Sequence, residues 1–202
     1  MPNGYNGKIL HVDLTKGELT VEEPNEAFYR KYMGGSAMGM YYILRDMPKG
    51  ADPLGPENVL TLMTGVTTGA AISGQSRINA NAKSPISGGI GDSQSGGFFP
   101  AEMKFAGMDG IVVKGKSPKP VYLWIRDGAF ELRDAAHLMG KKTGKVDEIL
   151  KRELGDNKIE VLQHGPAAEK GVLFSSLVSM SNRHNGRTGM GLVMASKNLK
   201  AV

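Results

Sequence analysis

The chain has 202 residues, of which 40% are hydrophobic, so it is long and apolar enough to bury a sizeable core and is not a disordered tail. Its 25 basic and 20 acidic residues give a net charge of +5, but aromatic residues do not interleave with the basic ones as they do in nucleic-acid stacking surfaces. The lack of cysteine excludes disulfides, thiolate zinc sites and iron–sulfur clusters held by this chain itself.

The N-terminal region begins with sheet and carries no targeting signal. Its opening, MPNGYNGKIL, has no apolar stretch after a basic region, and no run in the chain approaches membrane-spanning length, so we expect a cytoplasmic protein. Residues 8–14 alternate between apolar and polar, a turn follows at 15–17, and a second alternating run covers 18–21. This pattern predicts a β-hairpin.

Two helices are predicted next. Asn25 is suited to cap a helix over residues 26–33, and a second helical run extends over 37–47. Gly34 and Gly35 separate the two. They form either a helix–helix corner or a floor beneath a ligand, and the sequence leaves both interpretations open.

The middle of the chain predicts further strands around glycine-rich loops. Residues 59–64 form a buried strand, and residues 77–82 form a strand with one small apolar face and one polar face that lines a cavity or meets water. Pro100 suits the first turn of a helix over 99–106, and a strand follows at 111–114.

The second half of the chain begins with a hairpin signal, and its predicted elements follow in order. They are strands over 121–126 and 130–133, a helix over 143–154 capped by Thr143 and ended by Gly155, strands over 159–163 and 172–178 around a turn at Gly165 and Pro166, and a strand over 199–202. No stop signal follows the last strand, so we expect a domain cut or split from something longer.

Two loops combine arginine with glycine, and they are the predicted site. The first belongs to a glycine-rich stretch over 69–115 that contains Arg77; the second, within 181–202, contains Arg183 and Arg187. Arginine can hold a phosphate through two parallel N–H bonds, and glycines bring backbone amides close to the same oxygens. The alternative is that these arginines are surface ion-pair partners.

Other recognisable chemistry is missing from the sequence. No loop ends in the Gly-Lys-Ser/Thr of a phosphate-binding P-loop, and the glycines over 186–191 lack the spacing of a dinucleotide fingerprint. The four histidines lack the short spacing of a metal pair, and none is next to an obvious nucleophile. We therefore predict no catalytic residue in this chain.

Six segments follow one another along the chain: NGKILHVDLTKGELTVEE, DPLGPENVLTLMTGVTTGA, SRINANAKSPISG, SGGFFPAEMKFAGMDGIVVKGKSPKPVYLWIRDG, ELRDAAHLMGKKTG and GMGLVMASKNLKAV. In this order, they resemble the N-terminal domain of the tungsten-containing aldehyde:ferredoxin oxidoreductase family. The resemblance covers essentially all of residues 1–202. It implies an α+β fold, a β-rich domain of two sheets with pseudo-twofold internal symmetry and a few short helices.

The resemblance also implies a bis-pterin cofactor carrying tungsten or molybdenum, whose phosphates share a magnesium ion. By position, Arg77 falls where the family has a pterin-phosphate arginine. Gln94 and His184 fall at the backbone carbonyls that bind magnesium, replacing the usual Asn and Ala. Further cofactor contacts fall at Gly96, Arg183, Gly186 and Arg187.

The function implied by this resemblance is a pterin-binding domain or subunit of an enzyme that oxidises aldehydes to carboxylates. Electrons would leave to ferredoxin through a 4Fe-4S cluster held elsewhere, because the family's cluster ligands and substrate pocket belong to later helical domains. Those domains, or a partner subunit, are the expected partners, with no nucleic acid or membrane. The alternative is a non-catalytic carrier or interaction protein that retains the fold.

Overall fold

The computed structural model describes residues 4–202, and its first elements are the predicted hairpin. Strands β1 (Ile9–Asp13) and β2 (Glu18–Glu22) pair in antiparallel register. The turn between them is held by Asp13, whose carboxylate accepts hydrogen bonds from the backbone amides of Thr15 and Lys16. The hairpin prediction is confirmed.

Helices α1 (Glu26–Tyr32) and α2 (Gly35–Asp46) follow, and the predicted cap is present. The Asn25 Oδ1 atom accepts a hydrogen bond from the Phe28 amide at 3.0 Å. A Cβ at Gly34 would lie 2.6 Å from the Thr64 carbonyl oxygen. Close packing at the helix–helix corner therefore accounts for this glycine.

The first half then builds a six-stranded sheet. Its remaining elements are β3 (Leu60–Thr64), β4 (Ile78–Lys83), β5 (Ile90–Ser95), helix α3 (Phe99–Phe105) and β6 (Gly110–Lys114). The strand order is β2-β1-β6-β3-β4-β5, with β6 parallel to β1 and antiparallel to β3. Strand β5 was not predicted, because its sequence IGDSQS contains only one large apolar residue.

The prediction that the polar face of residues 77–82 lines a cavity or meets water holds for Arg77, which is exposed, and is wrong for Asn79 and Asn81. Asn79 is 5% exposed and Asn81 is fully buried. Helix α2 covers both, and a Cβ at Gly39 would lie 2.5 Å from the Asn81 Oδ1 atom. Glycine lets the helix approach the strand this closely. The helix therefore encloses Asn79 and Asn81, although the alternation of apolar and polar residues in the sequence indicated a solvent-exposed face.

The second half builds another six-stranded sheet, ordered β11-β10-β9-β12-β7-β8. Its elements are β7 (Val121–Arg126), β8 (Ala129–Asp134), a 3-10 helix (Ala136–Leu138), α4 (Thr143–Leu154), β9 (Leu162–His164), α5 (Pro166–Glu169), β10 (Leu177–Ser179), β11 (Arg183–Asn185), α6 (Met190–Ser196) and β12 (Leu199–Ala201). The predicted hairpin, the end of α4 at Gly155 and the final strand are confirmed.

Two predictions in this half need correction. The strands predicted over 159–163 and 172–178 are shorter, and α5 occupies part of the interval, since Pro166 begins a helix there instead of a simple turn. Thr143 is the first helical residue of α4 and does not cap it. The residue at the cap position is Lys142, whose side chain makes no capping hydrogen bond.

The two halves share one topology. Each contains a hairpin, one or two helices, a three-stranded meander, a helix, and a last strand placed between the hairpin and the meander. The last strand, β6 or β12, is parallel to the first hairpin strand and antiparallel to the first meander strand. The predicted pseudo-twofold organisation of two sheets is confirmed.

The main apolar core lies between the two sheets. It includes Leu10 and Leu62 from the first sheet, Leu123 and Leu162 from the second, and residues of α3 and α6 such as Met103. Helices α1 and α2 cover the outer face of the first sheet, and α4 covers that of the second. In the strand orders given above, β5 and β11 are edge strands of their sheets.

Candidate functional site

The edges of the two sheets meet at β5 and β11, and a buried asparagine joins them. Asn185 is fully buried, its Oδ1 accepts a hydrogen bond from Ser95 Oγ at 2.9 Å, and its Nδ2 donates to the Ser93 carbonyl at 2.7 Å. These bonds fix the loops that follow β5 and flank β11 relative to each other. Sequence reasoning missed Asn185, although it lies between Arg183 and Arg187 in the second predicted loop.

A hollow of about 650 Å³ opens beside this junction. Its walls come from the segment before β4, the end of β5 with its following loop, and the start of β11. The lining residues are Gly74, Gln75, Ser76, Arg77, Gln94, Ser95, Gly96, Gly97, Phe98, Ala101, Met180, Asn182, Arg183 and His184. Among these, Arg77, Gln94, Gly96, Arg183 and His184 were predicted from the sequence.

The remaining two predicted residues lie outside the lining of this hollow. Gly186 and Arg187 follow β11, and the Arg187 amide lies 3.4 Å from Ser93 Oγ. The next residue, Thr188, accepts a hydrogen bond from Ser84 through its carbonyl. The chain therefore turns away from Arg77 towards the opposite end of β5, and the structure does not bring Arg187 into the same hollow.

The hollow is lined by positive charge without a matching negative charge. Its lining contains two arginines and a histidine but no aspartate or glutamate. Within residues 4–202, neither Arg77 nor Arg183 forms an ion pair with a carboxylate. The Arg77 Nη1 atom donates only to the neighbouring Ser76 carbonyl, at 2.9 Å. This arrangement favours an anion-binding surface over the ion-pair alternative.

Glycines allow the walls of the hollow to come close to the arginines. A Cβ at Gly96 would lie 2.7 Å from Arg77 Nη1. Gly97 has φ +101°, and a Cβ there would lie 2.7 Å from Met180 Sδ and 3.0 Å from Arg183 Cγ. Side chains at these two positions would fill the space between the arginines, so their absence keeps the hollow open to a ligand.

The other polar side chains of the hollow can donate or accept hydrogen bonds. The His184 Nδ1 atom lies 3.0 Å from Ser176 Oγ. Ser76 Oγ donates to the Gly97 carbonyl at 2.6 Å and so ties the segment before β4 to the loop after β5. Sequence reasoning did not identify Ser76 or Asn182, since an isolated serine or asparagine in a loop gives no distinguishing signal.

No helix within residues 4–202 combines the length and the apolar character needed to cross a bilayer.

Comparison with known proteins shows which family the chain belongs to. The family model described as "Aldehyde ferredoxin oxidoreductase, N-terminal domain" matches residues 9–202. The tungsten-containing aldehyde ferredoxin oxidoreductase of Thermococcus kodakarensis is 44% identical over 199 residues, which are 98% of this chain and 33% of that protein. The aliphatic sulfonate oxidoreductase, WOR-like subunit, of Pyrococcus furiosus is 34% identical to this chain. That match covers 98% of this chain and 34% of that protein.

A solved structure shares the fold along the whole chain. The active-site complex BamBC of benzoyl coenzyme A reductase, in complex with 1,5-dienoyl-CoA, superimposes with a TM-score of 0.96 at 35% identity. The match covers 100% of this chain and 31% of that one, so the chain spans about a third of the length of the relatives that it matches. The chain belongs to the aldehyde ferredoxin oxidoreductase family and corresponds to its N-terminal domain.

Proposed function

We propose that this chain holds the phosphate groups of a tungsten- or molybdenum-bearing bis-pterin cofactor within a larger oxidoreductase. The observation that carries the proposal is that Arg77 and Arg183, more than 100 positions apart in sequence, line one hollow that contains no carboxylate. The family membership supports tungsten as the metal, because the aldehyde oxidoreductases to which the chain is similar are tungsten-containing.

The residues that are present suit the phosphates of such a group. Each of the two arginines can make two parallel N–H bonds to phosphate oxygens, and neither has a competing carboxylate within the described chain. Gly96 and Gly97 keep the space between them free of side chains. We propose that Arg77, Gly96 and Arg183 contact the cofactor directly.

The magnesium ion that would join the two phosphates is proposed to bind backbone carbonyls of Gln94 and His184. Both residues lie on strands at the facing edges of the two sheets, and an edge strand has a row of backbone groups without a partner strand. Magnesium prefers oxygen ligands such as carbonyls and phosphates. Because the main chain supplies these ligands, Gln94 and His184 can replace smaller residues without removing the ligand atoms.

Gly186 and Arg187 are proposed to contact a part of the cofactor outside the hollow. Arg187 is exposed and lies on the loop that follows β11, beyond the lining of the hollow. A bis-pterin group has two pterin systems in addition to its phosphates, so it can extend from the hollow across the β5–β11 junction towards this loop. This assignment implies a smaller role for Arg187 in phosphate binding than for Arg77.

The metal of such a cofactor exchanges electrons with a substrate, and the groups that handle the substrate are proposed to lie outside this chain. Residues 1–202 contain no cysteine to bind a 4Fe-4S cluster. We propose one cofactor-binding domain over residues 1–202, in the cytoplasm, which works with helical domains or a partner subunit that hold the cluster and pass electrons to ferredoxin. Oxidation of an aldehyde to a carboxylate is the proposed overall reaction.

Elemental analysis tests this function against a non-catalytic carrier role. The complete enzyme in which this domain operates would be produced in a host supplied with tungstate or molybdate, and its metal and pterin contents measured per chain. The proposal predicts about one metal atom and two pterins per chain, as expected for the bis-pterin assignment. A consistent lack of both metal and pterin, in protein that is folded by circular dichroism, would establish the carrier alternative.

A further inference from the structure

One peptide group, between Gly97 and Phe98, is held from both sides of the hollow. Its carbonyl oxygen, on Gly97, accepts a hydrogen bond from Ser76 Oγ at 2.6 Å. Its N–H group, on Phe98, donates to the Met180 Sδ atom at 3.2 Å. Ser76 is the neighbour of Arg77, whereas Met180 comes from the turn between β10 and β11. The loop after β5 is therefore attached to both of the walls that carry an arginine.

The two attachments differ in strength. The Ser76 contact joins two oxygen atoms, but a thioether sulfur is only a weak hydrogen-bond acceptor. Met180 is half-buried and lines the hollow, and a methionine side chain has three rotatable bonds, so it changes conformation easily. A phosphate oxygen would accept a stronger, charge-assisted bond from the same N–H group. The sulfur is therefore a partner that an anion can replace.

The internal repeat has a stronger contact at the equivalent place. Strands β4 and β10 are the middle strands of the two meanders. In the turn after β4, Ser84 Oγ donates to the Thr188 carbonyl at 2.9 Å. Thr188 lies two residues before α6, just as Gly97 lies two residues before α3. Each repeat thus holds the same peptide group of the other repeat, and the contact that uses sulfur is the one in the hollow.

The turn that carries Met180 has an unusual backbone. Met180 and Ser181 have left-handed φ values of +52° and +58°, and the Asn182 amide donates to the Ser179 carbonyl at 3.2 Å. Turns with two left-handed central residues usually contain Asn-Gly, because most other side chains are strained there. Such strain is concentrated at ligand clamps and switch segments. The outlier therefore favours a functional role for Met180.

Met180 occupies the corner of the hollow beside Arg183. A Cβ at Gly97 would lie 2.7 Å from Met180 Sδ and 3.0 Å from Arg183 Cγ, so the sulfur and the arginine stem pack against the same glycine. An oxygen atom in place of the sulfur would meet the Phe98 N–H group next to this arginine. A phosphate held by Arg183 and the sulfur of Met180 therefore compete for one position.

We propose that Met180 is a displaceable gate in the phosphate-binding hollow. Its sulfur holds the Phe98 N–H group, and an incoming phosphate displaces the side chain and accepts that hydrogen bond instead. The main chain of Phe98 is then a further phosphate contact beside Arg183, and Met180 controls access to it. This inference rests on the proposed phosphate-binding function, to which it adds the residue that opens the site.

Binding of inorganic pyrophosphate to the 202-residue chain tests the gate. Met180→Leu keeps a similar volume but removes the acceptor, so the Phe98 amide gives up no partner when it binds phosphate. The Kd for pyrophosphate should therefore fall about three- to ten-fold. In the parent chain, saturation should move the carbon NMR shift of the Met180 methyl group towards that of Met33, whose side chain is exposed.

A supporting role for Met180 predicts the opposite result. If its sulfur only holds the loop in place, Met180→Leu should bind pyrophosphate as weakly as the parent chain or more weakly, and the methyl shift should not move. Either observation would overturn the gate. The matched control is Met33→Leu, because Met33 also has a left-handed φ, +60°, but lies outside the lining of the hollow. This variant should keep the parent Kd.

Arginine variants distinguish a failure of the gate from a failure of the proposed function. Arg77→Ala and Arg183→Ala should both weaken pyrophosphate binding if the hollow binds phosphate. If neither does, the phosphate site itself is wrong, and the gate falls with it. If both do, while Met180→Leu binds no more tightly than the parent chain, the phosphate site stands and the gate alone is wrong.

Discussion

At the scale of single residues, the candidate site depends on two arginines that have no carboxylate partner within the described chain. Exposed arginines can form surface ion pairs, but Arg77 and Arg183 face a hollow whose lining contains no acid. Glycines at positions 96 and 97 leave the intervening space empty. Anion binding at this site therefore depends on the space that the two glycines leave as much as on the charges of the two arginines.

Gly96→Ala tests whether this empty space matters. The new methyl group would lie 2.7 Å from Arg77 Nη1, so the guanidinium must move away from its present position. Because the arginine tip is flexible and exposed, we expect the free energy of unfolding to change by less than about 1 kcal/mol. Cofactor content, measured as tungsten per chain in the complete enzyme, should fall several-fold.

A matched control is Gly144→Ala, since a Cβ at that helical position lies no closer than 3.6 Å to Ser181 Oγ. This variant should keep the parent cofactor content. Full cofactor content in Gly96→Ala would show that Arg77 does not need its present position.

His164 gives the domain a predictable dependence on pH that is separate from the site. Burial and, to a smaller extent, the nearby charge of Lys200 together lower the pKa of His164 to about 4, while Glu169 opposes this effect. Because the unfolded chain binds a proton near pH 6.5 and the folded chain does not, stability is lost as pH falls from about 6.5 to about 4. At about 1.4 kcal/mol per pKa unit, the loss amounts to at most about 3.5 kcal/mol.

Urea unfolding at several pH values measures this effect. His164→Gln should reduce the slope of stability against pH in that interval, whereas His184→Gln, at an exposed position, should not. An unchanged slope in His164→Gln would assign the acid sensitivity to other groups, with Glu169 the first to examine.

At the scale of elements, the sequence predicted most strands and helices where apolar periodicity was strong. The hairpins of β1 with β2 and of β7 with β8, and the helices α2 and α4, follow from such patterns. Strands β5 and β11 were missed because IGDSQS and RHN contain little apolar sequence, and their formation depends on pairing with β4 and β10. Tertiary pairing determines these two strands, and they are the ones that form the site.

The predicted site shows the same division. Arginine and glycine in two loops indicated an anion site, and the family resemblance added Gln94 and His184 by position. The residue that connects the two loops, Asn185, could not be assigned from sequence, because its role depends on which edges meet. The burial of Asn79 and Asn81 was unpredictable for a related reason, since α2 covers them only through its glycines.

Asn185→Ala tests whether the β5–β11 junction holds the site together. The change removes the partners of Ser95 Oγ and the Ser93 carbonyl in a buried place. We expect a loss of about 2 kcal/mol in the free energy of unfolding, together with reduced cofactor content. Chemical denaturation and metal analysis measure the two effects, and Asn157→Ala at an exposed position serves as control. Normal stability and normal cofactor content would show that the junction does not depend on this asparagine.

At the scale of the whole molecule, two copies of one topology bring their last meander strands, β5 and β11, edge to edge. One side of this junction carries the hollow between Arg77 and Arg183. The relatives are about three times as long as this chain, and their substrates differ in name from aldehydes to an aliphatic sulfonate and a coenzyme A thioester. This range of names supports the proposal that the shared domain holds a cofactor, while other parts of these proteins select the substrate.

The most direct test is the cofactor content of arginine variants in the complete enzyme, produced in a host supplied with tungstate. Losing charge-assisted hydrogen bonds worth about 1.5–3 kcal/mol should lower the tungsten and pterin bound per chain at least about ten-fold in Arg77→Ala and in Arg183→Ala. Arg30→Ala, at a site on α1 whose side chain is 75% exposed, should retain the parent content. If Arg77→Ala and Arg183→Ala hold as much cofactor as Arg30→Ala, the two arginines do not bind its phosphates.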